Sequence, residues 1–188
     1  MRWIQEKAEF EKILIDARMC VYIDSRRAPT PLQVLLFGDL TVCTPDFLPL
    51  LQSLMKWSTD SAAHFVVLDP DPVDNFYRLY KRYPVLEITP DDSAQTYLGA
   101  LNEDVGDGSG FSLSDLWATY VIVPPSKKWF IHTIRSAYDD SGHLWLPPEW
   151  ADKVLATYPF VFRDARASPG GTGAGTVGTL GRKDSAVP

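Results

Sequence analysis

The sequence predicts a single α/β or α+β domain: helices packed on a mixed sheet of five to seven strands, a C-terminal antiparallel segment, and a disordered tail. Three observations carry this prediction. Amphipathic helical patterns alternate with short apolar runs from the N-terminus to about Leu101, as in a layered domain. Two β-branched and aromatic runs then flank Pro124-Pro125-Ser126-Lys127-Lys128 with no helical pattern between them, which is the pattern of an antiparallel hairpin. From Ala167 onward, six glycines fall among 22 residues without one aromatic, and nothing there repays the entropy of ordering. The expected domain spans 1–165, and a Gly-rich disordered tail spans 166–188.

The elements follow in order. Phe10, Ile13, Leu14 and Ala17 fall at i, i+3, i+4 and i+7 among charged residues, so the chain opens on an amphipathic helix. Cys20 to Asp24 reads as a short strand. Gln33 to Phe37 and Leu40 to Cys43 flank Gly38-Asp39, a pairing that predicts a tight hairpin. Thr44-Pro45-Asp46 reads as a helix start with a capping hydroxyl, and Phe47, Leu50, Leu51, Leu54 and Met55 give that helix one apolar face. His64 to Leu68 is a strand, about Val73 to Tyr83 a helix stopped by Pro84, and Val85 to Thr89 a further strand. Thr89-Pro90-Asp91 opens a short helix to about Leu101.

Asn102 to Gly110 is a loop by its glycines and acids; its spacing fails a calcium loop, because Gly106 stands where the fifth ligand belongs. Ser112-Leu113-Ser114-Asp115 has capping-box spacing. Ala118 to Val123 and Trp129 to Ile134 form the second hairpin, with His143 to Leu146 as a third strand. Pro147-Pro148-Glu149 opens a final helix to about Thr157.

Composition narrows the function classes. Hydrophobic residues make up 45% of the 188, with 6 Trp, 8 Tyr and 9 Phe, enough to build a core without disulfides. Cys20 and Cys43 stand in apolar surroundings and outside any CxxC pair, which points to reduced thiols and a cytoplasmic location. No apolar run approaches the ~18 residues of a membrane span. A net charge of −6 and the lack of a Lys/Arg stripe argue against nucleic acid, and an acidic surface suits a basic protein partner.

The densest candidate chemistry is Asp69-Pro70-Asp71-Pro72-Val73-Asp74 at the end of a strand, where open α/β sheets place ligands. Strand followed by Asp-x-Asp-x-Val resembles the opening motif of haloacid dehalogenase-like phosphotransferases. That resemblance implies Asp69 as nucleophile and Asp71 as acid/base, with Mg²⁺ held by the carboxylates; a bare divalent metal site of Asp69, Asp71 and Asp74 is a separate reading, since Asp oxygens are hard ligands. The strand-end Asp-x-Asp also resembles the metal motif of GT-A glycosyltransferases, implying a nucleotide-sugar substrate. Against both, Pro70 and Pro72 have no N–H to offer a phosphate. The competing reading is local: Asp71 caps a helix, Pro72 is its first residue, and Asp74 meets the positive helix end.

The aromatics Trp117, Tyr120, Trp129, Phe130, Tyr138, Trp145 and Trp150 crowd one stretch. Most belong to a core, yet Trp and Tyr also anchor interfaces. Trp129, Trp145 and Trp150, rimmed by Asp139 and Asp140, are the expected partner-binding set. Trp129-Phe130 after Pro-Pro-Ser-Lys-Lys, together with Gly142 to Trp150, resembles small bacterial immunity proteins, which implies binding without catalysis and without a cofactor. The scattered His132 and His143 read as structural.

Overall fold

The computed structural model of the chain describes residues 1–26, 29–106, 112–135 and 140–163. The expected tail, Asp139 and Tyr138 lie outside the described residues, and of Asp140 only the backbone is described.

Seven strands form one sheet: β1 (Arg2–Trp3), β2 (Gln33–Gly38), β3 (Ala63–Asp69), β4 (Val85–Ile88), β5 (Thr119–Val123), β6 (Phe130–Arg135) and β7 (Asp140–Leu146). Their order is β1-β4-β3-β5-β6-β7-β2, and every neighbouring pair is antiparallel. Among the described residues six helices accompany them: α1 (Lys7–Arg26), α2 (Phe47–Ser58), α3 (Arg78–Tyr80), α4 (Ala94–Leu101), α5 (Leu113–Leu116) and α6 (Pro148–Thr157). A 3₁₀ turn covers Asp39–Cys43, and a π-helical stretch, Pro72–Tyr77, leads into α3. No described helix is long and apolar enough to cross a membrane.

Strand alternation divides the core in two. The larger half packs α2, α4 and α6 against one face through Leu50, Leu51, Leu54, Tyr97 and Val154, together with Phe65, Tyr120 and Ile131 of the strands. On the other face α1 seats Phe10, Ile13, Leu14, Ala17 and Cys20 on Val66, Val121, Val123, Phe130 and Trp145.

The hairpin β5–β6, the third strand β7 and the final helix stand where the sequence predicts them. Ser112 and Asp115 form the expected capping box. Four local expectations are corrected. Helix α1 runs on through Cys20 to Arg26, because Cys20 and Asp24 continue the inward series of Phe10, Ile13 and Ala17 and no Gly or Pro interrupts it. Gly38 makes no hairpin: its φ of −71° is extended, whereas a Gly-led tight turn needs positive φ. The chain enters the 3₁₀ turn instead, and β2 pairs with β7. Helix α2 starts at Phe47 rather than on a Thr44 cap, since the Thr44 hydroxyl donates to the carbonyl of Thr41 at 2.7 Å. Ser93, not Thr89, caps α4, accepting from the Thr96 amide.

Candidate functional site

Helix α1 carries the feature with most functional content. Twenty residues with one face on the sheet leave an outer face, and there charged residues are broken by Ile15, Met19 and Tyr22 at i, i+4 and i+7. These three side chains are 67%, 55% and 57% exposed. Single exposed apolar residues are ordinary, but three in one stripe form a patch. The patch continues into a groove of about 480 Å³ whose walls include Ile15, Met19, Ile23, Leu32 and Phe130. Lys127 and Lys128 border it. Lys127 Nζ is 2.6 Å from Asp16 Oδ1, and Lys128 Nζ donates to the Ser58 carbonyl at 3.2 Å, so both ammonium groups are held in place. A second groove, of about 310 Å³, runs along the same helix between Glu9, Lys12, Asp16, His64 and Pro125.

The far end of α1 is fixed by a buried carboxylate. Asp24 sits in its last turn over β6 and β7, where His132 and His143 are direct cross-strand partners. His132 Nδ1 hydrogen-bonds to Asp24 Oδ2. His143 Nδ1 lies 2.9 Å from Oδ1, and Trp145 Nε1 donates to the same oxygen at 2.9 Å. Burial alone would push the Asp24 carboxyl up; the bonds from His132 and His143 outweigh it and hold the group well below the usual carboxylate range. Ser141 Oγ stands 3.4 Å from His143 Nε2, a contact that follows from i, i+2 spacing on one strand face. With three donors converging on it, Asp24 anchors the helix end to the sheet, a role suited to keeping the outer stripe in one orientation.

The strand-end acids are placed otherwise than the phosphotransferase resemblance implies. Asp71 Oδ1 accepts from the amides of Val73 and Asp74 at 2.9 and 2.7 Å, and its Oδ2 lies 3.8 Å from Arg18. Pro72 is the first helical residue, so the capping reading of Asp71 holds. Asp69 and Asp74 are exposed. Among the described residues no group of three or more His, Cys, Asp or Glu is arranged to hold a metal ion.

The tryptophans expected to meet a partner are also placed differently. Trp129 is fully buried, with Nε1 donating to Ser58 Oγ at 3.2 Å. Trp145 is 8% exposed, stacked on Phe130 and tied to Asp24. Neither offers surface, because their strands are covered on both faces. Trp150 is half-buried, its ring edge-on to Trp57 at 5.7 Å. Asp139 falls outside the described residues, and Asp140 contributes its backbone to β7 opposite Arg135.

Sequence reading missed Ile15, Met19, Tyr22 and Asp24. A signal was present: extending the 3.6-residue period past Ala17 puts Asp24 inward and leaves Met19 and Tyr22 outward. Comparison with protein-family models, curated proteins and solved structures finds no match for this chain.

Proposed function

We propose that this chain is a non-catalytic protein-binding protein of the bacterial immunity or inhibitor type, acting in the cytoplasm, and that its contact surface is the outer face of α1. The exposed stripe Ile15, Met19 and Tyr22 beside its apolar groove is the observation that carries the reading. Two free cysteines suit a reducing compartment.

Local charge bears on the occupant. The net charge of −6 favours a basic partner at long range, but exposed charges more than about 8–10 Å apart are largely screened at physiological salt. Around the stripe Glu11, Asp16 and Asp71 face Lys12, Arg18, Arg26, Lys127 and Lys128, three acids against five bases. The occupant that fits is therefore an amphipathic segment of a partner protein, apolar toward the groove and flanked by acidic side chains. This segment takes the place of the basic partner that composition alone favours. A stable complex needs roughly 800 Å² from each side, so the stripe, the groove and their rim would be engaged together.

The test is site-specific photocross-linking in the native host, with the cross-linker at Met19 and, as control, at Leu79 on the π-helix side. The expected result is one partner captured from position 19 and not from 79, binding the purified chain directly through an apolar, acid-flanked segment. Equal capture at both positions, or a partner whose binding ignores Met19→Asp, would overturn the reading.

A further inference from the structure

Ile15, Met19 and Tyr22 are too few to hold a partner. Even an aromatic side chain buries only about 150–250 Å², so three side chains fall short of the roughly 800 Å² that a stable complex takes from each side. The contact has to run further along α1, and the two grooves fix its direction. Asp16 and Lys127 line both of them. Glu9, Lys12 and Ile13 border the smaller groove, and Met19, Cys20 and Ile23 the larger. Together they make one channel beside the helix, and from Glu9 to Ile23 it runs about 21 Å at the α-helical rise.

Lys127 stands at the middle of that channel. Its amide closes the turn onto the Pro124 carbonyl at 3.1 Å, and the Ser126 amide ties the turn to Asp60 Oδ1 at 3.0 Å. Lys127 takes a left-handed φ of +56°, where glycine or asparagine is the usual occupant. A lysine therefore stands here against the preference of the backbone. Its ammonium donates to Asp16 at 2.6 Å, an ion pair exposed on the lysine side and of small value to stability. An ammonium has three donors. With one used on Asp16, a partner's carboxylate can join Lys127 without breaking the bridge.

The walls decide the backbone of the occupant. β3, β5 and β6, which reach the channel through His64, Val123 and Phe130, are each paired on both sides. They offer no edge to an extended segment, whose inward N–H and C=O groups would lack partners. An α-helix satisfies its own backbone, and the apolar walls Ile13, Val123, Leu32 and Phe130 suit one face of it.

We infer that the partner segment is an amphipathic helix of about four turns, lying along α1 over both grooves with an acidic side chain at its middle on Lys127. This rests on the reading of the outer face of α1 as the contact surface, and it makes Lys127 the residue that selects the partner.

Photocross-linkers are placed in the full chain at Lys12, in the smaller groove, at Met19 and at Leu79. The expected result is capture of one partner from positions 12 and 19 and not from 79. Mass spectrometry should map the two linked sites to one segment, about two helical turns apart, with an acidic residue between them. By calorimetry, Lys127→Gln should bind that segment, as a synthetic peptide, about tenfold more weakly than the parent chain and with less sensitivity to salt, whereas Lys127→Arg keeps most of the affinity. The melting temperature should not move, because the pair is exposed. Capture from 19 but not from 12 would overturn the inference and leave the stripe as the contact; capture from neither would overturn both. Equal affinity of the parent and Lys127→Gln for the peptide, with both chains folded, would also overturn it.

Discussion

Asp24, in the last turn of α1, accepts a hydrogen bond of 2.9 Å from the indole Nε1 of Trp145 on β7. The bond crosses between two elements 121 residues apart in sequence and is one of three that converge on the same carboxylate. It places a tryptophan that looks like an interface anchor at the root of the helix, beneath the surface that does face outward.

Replacing Trp145 by Phe keeps the stacking on Phe130 and removes one donor to an ionised group. Hydrogen bonds to charged groups contribute roughly 1.5–3 kcal/mol, and the unfolding free energy should fall by about that much. Urea denaturation measures it, and a loss under ~0.5 kcal/mol would show that Asp24 does not depend on the indole.

Acid should act on stability in two stages. Burial lowers His64 from its ordinary value of 6.5, so the unfolded chain takes up that proton first. Its contribution is full above 6.5 and declines as pH falls from there toward the folded value. Asp24 follows the same rule in a lower window: held low in the fold, it contributes fully above the ordinary carboxyl value of 3.8 and loses that contribution only as pH falls below it. Denaturation midpoints across pH 4–8 should therefore slope less in His64→Gln than in the parent chain. Equal slopes would contradict the assignment.

Gly142 is required by its neighbour. A Cβ built there would lie 2.2 Å from the ring of Phe37, a cross-strand partner on β2. Gly142→Ala should destabilise by about 1–3 kcal/mol or more through overpacking, and Phe37→Leu in the same chain should restore part of it. Thermal melts of the two variants and of Phe37→Leu alone make the comparison.

The acids Asp69 and Asp71 should part company. Asp71→Ala removes a cap that holds two amides, at a cost near 1 kcal/mol, whereas the exposed Asp69→Asn should stay within about 0.5 kcal/mol of the parent. Parallel chemical denaturation separates them; equal effects would mean that the pair works as a unit, as the phosphotransferase resemblance implies.

Much of the architecture was legible in the sequence because period and punctuation agree there. Pro147-Pro148 and Ser112 with Asp115 start helices by local chemistry, and the β-branched runs of β5 and β6 have no helical competitor. The misreadings share a cause: residues whose local pattern yields to tertiary contact. Val21 and Ile23 look like strand, yet the inward face of α1 extends to Asp24 because the sheet beneath supplies His132, His143 and Trp145. Gly38-Asp39 looks like a turn, yet β2 finds its partner in β7, a hundred residues on. The candidate surface was hidden only in part for this reason: the helical period of α1, once carried past Ala17, does turn Met19 outward. Whether Trp145 is covered depends on which face of the sheet α1 packs on, and no spacing within β7 contains that information.

The central claim is that Ile15, Met19 and Tyr22 dock a partner segment. Its most direct test is calorimetric titration of the cross-linked partner, once purified, into the parent chain and into Met19→Asp. The account predicts at least about a tenfold loss of affinity, as expected at the centre of an interface, with the melting temperature unchanged because the side chain touches no core. Equal affinity in the two chains, with both fully folded, would contradict it.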